Sequence, residues 1–199
     1  NVGGLAGYTN TAGTIGSGNA ASTVTASSVS GGANVGGVIG YAQGSGGITN
    51  FGTISGGHDG IYAANGSLNG GIINSGTIDG GHDGISLNHS SLTVSGDIAN
   101  QGIIHGVSRG IYFSQATLSG AINNSGRIIG DSGPGIYLYS GTVTNGITNS
   151  GTISGADYAI YANGSAALPN LDITGTTAKL IGDVNAVNTD VTIKNGAIF

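Results

Sequence analysis

The sequence predicts an all-β fold, a parallel β-solenoid with coils of about 24 to 26 residues. Three observations predict it. The composition is rich in glycine and poor in helix formers, one pattern recurs five times, and isoleucine and asparagine return at fixed places in that pattern.

Glycine fills 42 of the 199 positions, and only 7% of residues are charged. Glycine costs about 1 kcal/mol relative to alanine inside a helix, so long helices are disfavoured. Short runs of Ile, Val, Thr and Tyr broken by Gly, Asn, Ser and Asp are strand and turn chemistry. Disordered Gly/Ser-rich chains have low hydrophobicity. Here 38% of residues are hydrophobic and they recur in register, the mark of an ordered chain.

The net charge of −5, with four cations (Arg109, Arg127, Lys179 and Lys194), leaves no basic footprint for nucleic acid. No run of about 18 apolar residues offers a membrane-inserting helix, and no signal peptide is read at the start. The absence of cysteine argues against a disulfide-built secreted domain. It fits a cytosolic protein or a bacterial chain that is exported unfolded.

Along the chain, residues 1–46 follow a rule of their own. Asn1-Val2-Gly3-Gly4-Leu5-Ala6-Gly7-Tyr8 returns as Asn34-Val35-Gly36-Gly37-Val38-Ile39-Gly40-Tyr41, and Thr23 to Ser30 between them alternates in strand fashion. Residues 47–168 form five regular coils, at 47–68, 71–92, 97–118, 121–143 and 146–168, aligned on Gly52, Gly76, Gly102, Gly126 and Gly151. Ile48, Ile72, Ile98, Ile122 and Ile147 make one apolar column. Ile54, Ile78, Ile104, Ile128 and Ile153 make a second, and Ile61, Ile85, Ile111, Ile136 and Ile160 a third. Three columns imply three short strands per coil, each stacked on its equivalents ~4.8 Å above and below. One coil cannot bury its own face, but a stack can.

Asn50, Asn74, Asn100, Asn124 and Asn149 stand two residues before the anchor glycines. They are expected to be structural, through tolerance of left-handed turns and through amide hydrogen bonds along the stack. Residues 169–199 read as one or more degenerate coils that continue into a longer protein.

The two Asn-Val-Gly-Gly segments resemble the GLUG motif of large bacterial surface proteins. The Ile-x-Asn-Ser-Gly-x-Ile-x-Gly coils resemble the passenger regions of Gram-negative autotransporters and related adhesins. That resemblance implies a right-handed three-stranded β-helix, located extracellularly or on a bacterial cell surface and used for adhesion or aggregation.

Of the candidate sites, a tyrosine stripe stands first. Tyr62, Tyr112, Tyr137 and Tyr161 follow the third isoleucine column, with Ser86 interrupting, and alternation turns them outward. Such a stripe offers aromatic surface to a sugar or a protein, or merely stabilises the stack. The doubled Gly-Gly-His-Asp-Gly at 56–60 and 80–84 places His58 over His82 and Asp59 over Asp83. Two His and two Asp could ligate a metal. The row ends at Ser108 and Arg109, so turn chemistry is preferred and no metal site is expected.

Enzymatic activity is not expected. The nine aspartates are scattered, glutamate is absent, and no paired acid and base is legible. The column Thr53, Thr77, Ile103, Arg127 and Thr152 is too irregular for an ice-binding array, and the Asn-x-Ser triplets arise from composition. The expectation is a cofactor-free adhesin that self-associates or binds a host glycan or matrix protein, the alternative being a structural spacer.

Overall fold

The computed structural model describes residues 24–30, 38–44, 47–186 and 189–194. The first Asn-Val-Gly-Gly segment, the opening of its repeat at 34–37 and the last residues, 195–199, lie outside them. The described residues form short strands and no helix. Strand stacks on strand in parallel in a β-solenoid of about six turns, with one antiparallel bridge, Asn88 to Gln115, among the described residues.

The second, third and fourth regular coils each contribute four strands, whereas in the first two longer strands, Ile48–Gly56 and Ile61–Leu68, run through the same four ladders. In the second coil the four are Ile72–Asn74, Thr77–Gly80, Asp83–Asn88 and Thr93–Val94. The isoleucine columns are three of the four ladders. Ile72 pairs with Ile48 and Ile98, Ile78 with Ile54 and Ile104, and Ile85 with Ile61 and Ile111. The inward residues on the third strand are Ala63, Leu87, Phe113, Leu138 and Ala162, all buried. Each fully buried isoleucine contributes roughly 1.5–3 kcal/mol.

The structure corrects the expected three ladders to four, with four separate strands in each of the second, third and fourth coils. Leu68, Val94, Leu118 and Val143 form the additional ladder, and all four are buried. It also corrects one alignment: Leu68 pairs with Val94, two residues beyond Leu92. The longer second coil absorbs its surplus residues in an exposed turn, where Leu92 N donates to His89 O. Leu92 is then free to bury itself beside the fourth ladder.

Close approach explains the anchor glycines. A Cβ on Gly102 would stand 1.9 Å from Gly76 O, and one on Gly126 2.1 Å from Gly102 O. No side chain fits there. The asparagines two residues earlier are not left-handed, another correction. Among the described residues the only non-glycine positions with positive φ are Gln115 (62°) and Ser140 (53°), at the corner between the third and fourth strands.

Two strands from the amino-terminal region extend the stack. Val24–Ser30 pairs with the first and second ladders through Val24 to Ile48 and Val29 to Ile54. Val38–Gly44 pairs with the third and fourth, through Val38 to Ile61 and Gly44 to Leu68. Beyond Leu168, Asn170–Thr174, Lys179–Ala186 and Asp190–Lys194 continue the ladders. Leu171 and Ile173 are buried, whereas Val184, Val191 and Ile193 are exposed.

Candidate functional site

The asparagine column runs inside the solenoid, at the corner between the first two strands. All five are buried, at most 2% exposed. Each of the first four Nδ2 groups donates to the Oδ1 of the next asparagine, at 2.8, 2.8, 2.7 and 2.7 Å from Asn50 to Asn149. Each of these also reaches the carbonyl of its own anchor glycine and a backbone carbonyl of the next coil, as Asn100 does with Gly102 O and Arg127 O. A side chain this fully committed to its neighbours has nothing left for a ligand. The row stops at Asn149 because the next register position is Ile173.

The tyrosines lie on the outer face of the third ladder, each half-buried. Tyr112, Tyr137 and Tyr161 are in register, with ring centroids 5.4 and 5.2 Å apart and planes inclined by 35° and 33°. The spacing is close to that of the strands, so each ring turns much of its face toward the next ring. Solvent therefore meets mainly edges and hydroxyls. Even the hydroxyl of Tyr137 accepts from Asn163 Nδ2 at 3.3 Å. Tyr62 stands apart, separated from Tyr112 by the buried Ser86. Burial, reinforced by the charge of Asp59, pushes its phenol pKa up.

Three members of this face were not read from the sequence. Tyr158 stacks on Tyr161 at 4.6 Å. Tyr139 meets Tyr137 edge-on at 6.3 Å. The Arg109 guanidinium lies 3.7 Å from the centroid of Tyr112, within cation–π range. No sequence signal marked Tyr158, which stands two residues before Ile160 with a register shift between them.

Arg109 links this face to the His–Asp rows. It is in register with Asp83, and its Nε and Nη2 donate to the two Asp83 carboxylate oxygens at 2.7 and 2.9 Å. Planar two-point pairing of this kind is the strong form of an ion pair. Asp83 is 1% exposed and Asp59 4%. Asp59 Oδ1 accepts from Asp83 N and lies 2.9 Å from His58 Nδ1. Desolvation, with the neighbouring charge of Asp83, raises the pKa of Asp59. The His58 and His82 rings stack at 4.7 Å. The sequence placed these four residues in two rows, but it read the third coil as the end of the row. The structure makes Arg109 the counter-charge of that row.

A second histidine cluster was missed. His105, on the second ladder, is clamped between Asp79 of the preceding coil and Asp131 of the next, at 2.5 Å from Nδ1 and 3.0 Å from Nε2. Burial alone would lower the imidazole pKa. The hydrogen bonds and charges of the two aspartates outweigh it and hold the pKa above its ordinary value. The signal was present: His105 stands 26 residues from each aspartate, about one coil.

Among the described residues, two surface hollows stand out. One, of about 440 Å³, lies beside the fourth ladder between Thr142, Val143, Ala166, Leu168 and Pro169, and no ionisable side chain lines it. The other, of about 560 Å³, is lined by Tyr158, Asp183, Val184, Asn185 and Ala186. No protein-family model matches the chain, and neither a curated protein nor a solved structure matches it. What defines the molecule is its architecture, a parallel β-solenoid with coils of about 24 residues.

Proposed function

We propose that this chain is a non-enzymatic segment of an extracellular or bacterial cell-surface adhesin, whose solenoid body mediates adhesion or self-aggregation. The observation that carries the reading is the state of the lateral faces. Phe51, Ile73, Val107 and Tyr139 remain 64%, 44%, 47% and 45% exposed, on a rod that carries few charges to repel a second surface. Phe51 and Ile73 stand on adjacent coils, beside the paired Asn50 and Asn74. Exposed apolar surface on a low-charge body favours contact with another copy, a matrix protein or the apolar face of a glycan. The motif resemblance to bacterial surface passengers supports the same placement.

One observation favours a second reading, a stiff spacer without a specific ligand. The Tyr112, Tyr137 and Tyr161 rings spend much of their faces on one another, leaving little for stacking on sugar. Sedimentation velocity over about a hundredfold range of concentration separates the readings. The adhesin reading predicts growth with concentration or retention on a glycan or matrix array. Either should be lost in a Phe51→Ser, Ile73→Ser double variant or in the variant with Tyr62, Tyr112, Tyr137 and Tyr161 replaced by serine. A monomer at every concentration that binds no glycan or matrix protein overturns it and leaves the spacer.

A further inference from the structure

Two imidazoles and one carboxylate converge where the turns leading into the third ladder stack on each other. His58, Asp59 and His82 each offer one ligand atom, and the three atoms lie within 4.8 Å of one another. Asp59 Oδ1 is the hub, 2.9 Å from His58 Nδ1 and 3.9 Å from His82 Nδ1. Ligand atoms around a tetrahedral Zn²⁺ at 2.0–2.2 Å stand roughly 3.4 Å apart, between those two values. The carboxylate is fixed by its burial and by the Asp83 N–H, whereas the His58 and His82 side chains are 56% and 42% exposed. The rings can therefore turn to close the shell without disturbing the ladders.

Charge points the same way. Asp59 and Asp83 are both buried, and among the described residues the fixed cation beside them is Arg109, which takes both oxygens of Asp83. Asp59 faces His58, while His82 Nδ1 lies 3.9 Å from Asp59, 3.3 Å from Asp83 Oδ1 and 3.4 Å from Arg109 Nη2, so that ring must turn from Arg109 to share a metal with Asp59. Buried carboxylates require a cation or strong donors, and two imidazolium rings stacked at 4.7 Å would repel each other. One divalent cation accepted by both neutral rings and by Asp59 removes both difficulties. A nitrogen and carboxylate set of this kind suits zinc and its first-row neighbours.

We propose that His58, Asp59 and His82 form a Zn²⁺ site that clips two neighbouring coils together, with water completing the shell. The chain's other two histidines serve as internal controls. His89 sits on the exposed turn bonded to Ser91, and His105 is held by Asp79 and Asp131.

Isothermal titration of the full chain with zinc chloride near neutral pH, with native mass spectrometry for stoichiometry, tests the site. The expected result is one zinc per chain. His58→Ala and His82→Ala should each weaken binding by about tenfold or more, while His89→Ala leaves it unchanged. Zinc should also raise the thermal midpoint of the wild type and of His89→Ala, but not of the two other histidine variants. Asp59→Asn should weaken binding too. Should that variant fail to fold, the two exposed rings carry the test alone. No binding, one zinc shared by two chains, or binding that survives both histidine substitutions or disappears with His89 overturns the proposal.

Discussion

Replacing Asn100 by alanine tests what the buried asparagine row contributes. Asn100 Nδ2 donates to Asn124 Oδ1 at 2.7 Å, Arg127 O at 3.0 Å and Gly102 O at 3.2 Å, and its Oδ1 accepts from Asn74 Nδ2 at 2.8 Å. In the variant, Asn124 Oδ1 loses the donor that reaches it across the coils. A buried acceptor left unmade costs about 1–3 kcal/mol. Asn74 Nδ2 keeps Gly76 O and Ile103 O, so its loss is smaller. The remaining bonds are worth about 0.5–1.5 kcal/mol each, and the total comes to about 3 kcal/mol. Asn149→Ala is the matched comparison. It ends the row, its Nδ2 reaches only backbone carbonyls at 3.2 Å, and no asparagine in the next coil depends on it. Its cost should be about 1–2 kcal/mol. Guanidinium unfolding followed by far-ultraviolet circular dichroism gives the midpoints, compared at equal slope. A loss under about 0.5 kcal/mol for Asn100→Ala, or equal losses at the two sites, would refute the argument that the row is a cooperative chain of amides.

Three more outcomes are expected. The His105 clamp makes stability pH-dependent. Its folded pKa is raised, so its contribution is complete below the unfolded value of about 6.5 and is lost as pH rises through the folded value. His105→Gln should flatten the wild-type fall in unfolding midpoint between about pH 6 and pH 9, and an unchanged slope would show that other groups set it. Gly126→Ala places a methyl 2.1 Å from Gly102 O, and thermal melts should show a loss of about 3 kcal/mol or more, against under ~0.5 kcal/mol for the exposed Ser125→Ala. Gln115, exposed and held at φ 62°, should gain up to about 1 kcal/mol as glycine and lose stability as valine, read from the same melts.

The periodic features were legible because a solenoid maps sequence period directly onto space. A residue one coil away becomes a neighbour in the stack, so a column of isoleucine, asparagine or glycine in the sequence is a ladder in the fold. The fourth ladder escaped notice because it is two residues long and alternates leucine with valine. The loop at His89 also shifts its register by two. The asparagines' role as hydrogen-bonding rungs was legible; a left-handed backbone was the wrong second reason, since the anchor glycine already makes the corner by letting the chains touch.

The arrays that mix residue types needed three dimensions. Asp83 with Arg109, and Asp79 with His105 and Asp131, are cross-coil pairs of unlike residues, and no column of identical letters marks them. The tyrosine stripe was visible, but whether its rings faced solvent or each other depended on side-chain torsions that a period cannot encode. The sequence by itself determined the coil length, the inward face and the asparagine row, because burial of apolar side chains and of amides repeats with the chain. Only the tertiary structure decided which polar groups pair across coils and which ring faces remain free, because those depend on distances of a few ångströms between residues about 24 to 26 apart.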